Sequence, residues 1–227
     1  MVLRLIIALA IIVSLSGTVH ARPVSYPGGW TFMQKSNGSY SSVHAHYSPT
    51  ASDSIGAYIE RNWQEDITFT GIQYNRLVKR WNGRKTQANF YAKVGVGQAQ
   101  PFGKNGAQIA GFTELAMDWE TRRWFTEYRI RATDYADNQS IHHSGRLGIA
   151  PYIGNYGDLH TWLMVQVENH PESNKPTTTT PLGRLFKGVK MLDLGYTIQH
   201  EECLSNWIVS LLIFISYVCI DEATVGL

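Results

Sequence analysis

The fold is decided by residues 87–97, which read Gln-Ala-Asn-Phe-Tyr-Ala-Lys-Val-Gly-Val-Gly. Apolar side chains occupy every second position from Ala88 to Val96, and the positions between them are mostly polar residues and glycine. A period of two is typical of a β-strand whose two faces meet different surroundings. The length is close to the ~9–11 residues that a tilted strand needs to cross a bilayer.

The same alternation recurs along the chain. It is clear in residues 108–119, 124–132 and 159–168. Weaker candidate strands lie at 29–36, 42–48, 54–64, 67–80, 140–152, 178–186, 189–199 and 205–213. We therefore predict an all-β fold, an antiparallel up-and-down transmembrane β-barrel of about twelve strands, because an even number returns both chain ends to the periplasmic side. A barrel of ten strands is the alternative, because 140–152 contains Gly148 and Pro151 and alternates poorly.

Composition narrows the class of protein. The chain has 227 residues, enough for one domain, and a net charge of +2 without a basic patch suited to nucleic acid. Its two cysteines, Cys203 and Cys219, offer neither a disulfide framework nor a metal-binding spacing. With 7 Trp and 12 Tyr, the mean hydropathy is still −0.20. A polar average with many Trp and Tyr residues is typical of a barrel with an apolar outside, a polar lumen and aromatic rims.

The first residues predict export. Arg4 gives a positive start, residues 5–13 are apolar, and residues 19–21 end in a small residue. These features predict a signal peptide over 1–21, because the apolar run is shorter than the ~20 residues needed to span a bilayer. The barrel domain is then expected over 22–210, in the outer membrane of a Gram-negative cell after export through the Sec pathway.

The charged faces of the strands are expected to line the lumen. A Lys or Arg at the bilayer midplane on the lipid face costs about 2–4 kcal/mol. The alternative is a soluble periplasmic β-sandwich or barrel that binds a ligand, in which the apolar faces would form the core. Bulky aromatics on the polar faces, such as Tyr91, Phe125 and Trp162, argue against it. The predicted lumen-lining residues are Lys93, Glu114, Asp118, Glu127, Arg129, Arg131, His160 and Glu168.

Two groups of residues suggest chemistry. His44 and His46 share one strand face and form a weak candidate site for zinc or copper, but no third ligand is apparent. His142 and Ser144 also share a face, and with Glu114 or Glu127 as the acid they resemble the parts of a lipid-modifying hydrolase. The sequence has no G-x-S-x-G motif, so we predict no catalytic residues, no cofactor and no enzymatic activity.

The chain also resembles a family of small, uncharacterised bacterial outer-membrane β-barrel proteins. The resemblance covers most of the chain up to about residue 207. It rests on residues 26–30 (Tyr-Pro-Gly-Gly-Trp), 46–50, 77–82, 87–91, 151–154, 156–163 and 184–189. It implies a barrel, an outer-membrane location, and contacts with lipid and the barrel-assembly machinery, but no activity or solute. The expected role is structural or that of a narrow pore, with no nucleic-acid partner.

One feature departs from that family. Such barrels usually end in an alternating strand with a terminal aromatic residue, which the assembly machinery reads. Here alternation is lost over 211–220 and the chain ends at Leu227. We interpret 211–227 as an atypical, frameshifted tail, and an additional membrane-associated segment is the alternative.

Overall fold

The computed structural model describes residues 26–103, 106–135, 138–155, 157–171 and 176–212. The predicted signal peptide (1–21) and residues 213–227 of the predicted tail lie outside these ranges. The described residues form twelve strands: β1 (Gly29–Ser36), β2 (Tyr40–Ser48), β3 (Asp53–Asn62), β4 (Ile67–Asn82), β5 (Thr86–Pro101), β6 (Gln108–Thr121), β7 (Trp124–Tyr135), β8 (Asn138–Ile149), β9 (His160–Asn169), β10 (Thr177–Lys187), β11 (Lys190–Thr197) and β12 (Glu202–Leu212).

The strands form one closed antiparallel barrel. Each strand pairs with its neighbours in sequence, and β12 pairs with β1. Phe32 of β1, for example, lies opposite Ala45 of β2 on one side and Val209 of β12 on the other. The predicted all-β, up-and-down barrel of twelve strands is therefore confirmed. The ranges described above contain no helix long and apolar enough to cross a membrane.

Strand boundaries differ modestly from the sequence-based prediction. The questionable stretch 140–152 does form a strand, β8, which contains Gly148 and ends at Ile149 before Pro151. β12 begins at Glu202 rather than 205 and includes Leu211. The ladder of β4 and β5 extends beyond the predicted ends, and its register shifts at a bulge between Leu77 and Lys79.

The two faces of each strand differ in exposure. Along β6, Ile109 and Leu115 are exposed by 89% and 47%, whereas Phe112 and Glu114 are buried. Strand β9 repeats the pattern, with exposed Leu163, Val165 and Val167 alternating with buried Met164, Gln166 and Glu168. The outward positions carry the apolar residues and the inward positions carry most of the polar ones.

An aromatic cluster fills part of the interior on β3 to β7. Phe69 is fully buried and stacks on Tyr135, with ring centroids 4.8 Å apart. The Phe112 ring lies 5.7 Å from that of Phe69 and covers Gly95 on the neighbouring strand. A Cβ atom at Gly95 would lie 2.2 Å from the Phe112 ring, so glycine is what allows this close approach.

Closure of the barrel can be tested by cross-linking β1 to β12. Thr31 lies opposite Ser210, and their hydroxyl oxygens are 3.1 Å apart. In a background with Cys203→Ser and Cys219→Ser, we expect Thr31→Cys with Ser210→Cys to form a disulfide under mild oxidation, because directly opposed residues have Cα atoms about 4.5–5.5 Å apart. Mass spectrometry of the intact protein detects the bond.

The matched control pairs Thr31→Cys with Leu204→Cys on the same strand. Six positions separate Leu204 from the residue opposite Thr31, which is about 20 Å along a strand and too far for a disulfide. A persistently reduced Thr31/Ser210 cysteine pair would contradict the closed barrel.

Candidate functional site

Two large cavities lie inside the barrel formed by the described residues. One, of about 1100 Å³, lies at the end where β1 begins and β12 ends, and we call it the terminal-end chamber. The other, of about 860 Å³, lies at the opposite end, and we call it the far chamber. Met33, Lys93, Arg129 and Asn206 line both cavities. These side chains therefore mark the boundary between the two chambers.

Ion pairs occupy that boundary. Lys93 and Glu114 are opposed on β5 and β6, and their Nζ and Oε1 atoms are 2.6 Å apart. Arg129 Nη2 lies 2.7 Å from Oε1 of Glu127 on the same strand. A buried charge is tolerated when an opposite charge lies beside it. The pairs thus allow four ionised side chains to share a narrow interior.

A second network surrounds Asp193, whose relative exposure is 0%. Arg184 donates to both carboxylate oxygens, at 2.7 and 2.9 Å, and Arg146 donates to Oδ2 at 3.0 Å. Asn206 donates to the same oxygen at 3.2 Å, and Arg146 also donates from Nε to Gln166 at 3.0 Å. One carboxylate therefore pairs with two arginines from different strands, and the group keeps a net charge of +1.

Arg131 anchors the aromatic side of the far chamber. Its Nη2 atom lies 2.9 Å from Oε2 of Glu60, and its guanidinium donates to the hydroxyls of Tyr58 (3.1 Å) and Tyr135 (2.8 Å). The guanidinium carbon lies 3.9 Å from the centroid of the Phe112 ring, within cation–π range. This cluster joins the ionic part of the lumen to its aromatic part.

The eight residues predicted to line the lumen are distributed along the interior. Lys93, Glu114, Arg129 and Arg131 line the far chamber, and Lys93, Asp118, Glu127, Arg129 and His160 line the terminal-end chamber. Glu168 is 3% exposed.

Sequence reasoning missed Arg146, Arg184 and Asp193. The pattern Leu192-Asp193-Leu194 could have identified Asp193 as a lumen residue. A single charged residue between apolar neighbours on a strand indicates the polar face.

The two histidines considered as a metal site do lie together. His44 and His46 are both buried, with ring centroids 4.5 Å apart, and the Tyr58 ring packs edge-on against His44. Among the described residues, no three His, Cys, Asp or Glu side chains converge as metal ligands. Two imidazoles alone do not make up a zinc or copper site.

The hydrolase hypothesis placed Glu114 or Glu127 beside His142, and the structure does not. His142 and Ser144 both point inward, but the carboxylate near His142 is Glu168, with Nε2 and Oε1 3.8 Å apart. Glu114 and Glu127 are instead held by Lys93 and Arg129, because opposite charges on the same or adjacent strands lie closer to them.

The remaining contacts of this segment lie at the wall of the far chamber. His142 stacks on His170 at 3.7 Å, and within the described part of the chain the Ser144 hydroxyl has no hydrogen-bond partner. A nucleophile needs a base within hydrogen-bond reach. Among the described residues, no base lies within hydrogen-bond reach of Ser144.

The sequence matches no protein-family model and no curated protein. Among solved structures, the chain is similar to the crystal structure of the outer membrane protein OprD from Pseudomonas aeruginosa, with a TM-score of 0.37 and 9% sequence identity. The similarity covers 76% of this chain and 58% of that chain. The chain thus spans little more than half the length of that protein.

Removal of the Asp193 carboxylate tests the buried network. We expect Asp193→Ala to lower the free energy of unfolding by about 3–5 kcal/mol, because two buried guanidinium groups lose their counter-charge. The control is Asp66→Asn at the exposed Arg61–Asp66 pair, where Asp66 is 59% exposed; exposed pairs contribute less than about 1 kcal/mol. Urea unfolding in phosphatidylcholine vesicles measures both, and equal effects would contradict the network.

Proposed function

We propose that the chain is a β-barrel of a Gram-negative outer membrane, exported through the Sec pathway after cleavage following residue 21. We propose a structural or narrow-pore role without enzymatic activity. The observation that carries this proposal is that every strand of a closed barrel exposes large apolar side chains, while ion pairs lie in the interior.

Each of the twelve strands contributes to this set of exposed side chains, which we call the apolar belt. Its representatives, one per strand, are Phe32, Val43, Ile59, Ile72, Val94, Leu115, Tyr128, Leu147, Val165, Leu185, Leu194 and Trp207. Soluble monomers rarely expose contiguous apolar patches larger than a few hundred Å². Hydrocarbon around the belt removes the unfavourable contact with water, which supports a membrane location over a soluble periplasmic barrel.

Aromatic residues lie at both limits of the apolar belt. At the terminal end, Trp30 and Tyr47 on β1 and β2 have ring centroids 5.6 Å apart. At the other end, the Arg61 guanidinium lies 5.1 Å from the Trp63 ring and 4.7 Å from the Phe102 ring. Rings with a polar partner favour the interface between hydrocarbon and water. These positions support a bilayer aligned with the belt.

The interior supports a narrow or closed lumen. Barrels of about eight strands are filled by side chains, whereas about sixteen leave an aqueous channel. Here the aromatic cluster around Phe69 fills part of the interior, and the ion pairs of Lys93 and Arg129 lie between the two chambers. In this proposal the chain ends lie on the periplasmic side. The barrel contacts outer-membrane lipid, and during assembly it contacts the barrel-assembly machinery.

The depth dependence of a charge on the apolar belt tests the membrane proposal. Leu115 lies in the middle of β6 and Ile109 near its end, and both are exposed. In vesicles, we expect Leu115→Arg to lower the free energy of unfolding by about 2–4 kcal/mol and Ile109→Arg by about 0–1 kcal/mol, because the cost falls from the midplane to the interface.

Urea titration of the protein reconstituted in vesicles measures both variants. The same titrations in plain buffer form the control for a soluble barrel, in which both outward arginines would be solvated. A protein that folds in buffer without detergent, and tolerates Leu115→Arg as well as Ile109→Arg, would contradict the proposal.

A further inference from the structure

The two chambers differ in charge. Eight Lys or Arg side chains and three carboxylates line the terminal-end chamber, whereas four Lys or Arg and three carboxylates line the far chamber. Both counts include Lys93 and Arg129 at the shared boundary. The excess of positive charge is therefore concentrated at the end of the barrel where β1 begins and β12 ends.

Four of the cations that line the terminal-end chamber lie in turns at its mouth, where Glu120 also lines the wall. Arg84 and Lys85 lie in the turn between β4 and β5, and Arg122 and Arg123 lie between β6 and β7. Among the described residues, none of these four side chains forms an ion pair with a carboxylate. Arg122 Nη2 donates to the carbonyl oxygen of Gly154 at 3.0 Å, which orients its guanidinium at the mouth.

The inner wall of this chamber adds a second source of positive charge. Arg146 and Arg184 both line it, and they share the single carboxylate of Asp193. Their side chains are 2% and 13% exposed, so their position is fixed by packing and by that shared contact. A concave site with low-dielectric walls and an excess of one sign of charge concentrates counter-ions.

We propose that the terminal-end chamber binds a soluble anion bearing phosphate or carboxylate groups. The inference rests on the proposed barrel function and names the class of ligand for its interior. Guanidinium groups suit such ligands because their paired N–H donors match two oxygens of a phosphate or carboxylate. The chamber of about 1100 Å³ has room for a polyvalent anion together with its water.

Titration with inorganic pyrophosphate tests this proposal. The full mature chain, folded in a maltoside detergent, is titrated at low ionic strength, and heat release gives Kd. We expect saturable binding by the unsubstituted protein and a Kd raised about tenfold or more in Arg122→Gln/Arg123→Gln, because two charge-assisted donors are lost.

The matched control is Lys187→Gln/Lys190→Gln. These lysines are exposed at the same end of the barrel and carry the same charge, but they do not line the chamber. We expect their loss to change Kd by less than about twofold, since exposed charges outside the site are screened.

Three results would overturn the proposal: no saturable binding by the folded protein, equal weakening in both double variants, or displacement of pyrophosphate by phosphatidylglycerol added to the micelles. The last would assign the phosphate chemistry to a lipid headgroup. Because the titration needs no bilayer, its failure is distinct from failure of the membrane proposal, which the Leu115 and Ile109 variants test.

Discussion

The backbone pairing of β1 with β12 is the constraint on which the rest of this structure depends. It runs from Gly29 opposite Leu212 to Ser36 opposite Ser205, so neither strand presents a free edge. In hydrocarbon, each unpaired backbone group costs several kcal/mol, and only a closed ring of strands avoids that cost. Closure also separates the two faces of every strand: one faces an enclosed space, and the other faces the surroundings of the barrel.

Once the inward face is enclosed, its charges must compensate one another. Asp193 holds two arginines, Glu60 pairs with Arg131, and Glu114 pairs with Lys93. The compensation is uneven along the axis, which leaves the terminal-end chamber with an excess of cations. Together with the aromatic cluster around Phe69, these pairs fill part of the lumen.

The local pattern of the sequence predicted the strands and their faces, because alternation along 87–97 or 159–168 depends only on neighbouring residues. It did not predict which side chains meet. Arg146 and Asp193 come from β8 and β11, which do not pair in the sheet, so their contact depends on how the barrel closes and not on neighbouring residues. The weak alternation of 140–152 has a local cause: His143 lies on the outer face and bonds the Tyr128 hydroxyl at 2.8 Å.

The central claim is that the outer face of the barrel wall contacts hydrocarbon and the inner face lines an enclosed lumen. Two single-tryptophan variants in vesicles test it most directly: one keeps Trp207, exposed at the centre of β12, and the other keeps Trp162, which packs inside against Phe125. Phosphatidylcholine brominated in the middle of its acyl chains should quench Trp207 strongly and Trp162 weakly, because quenching needs contact. Quenching of Trp207 by aqueous iodide, with no effect of the brominated lipid, would contradict the account.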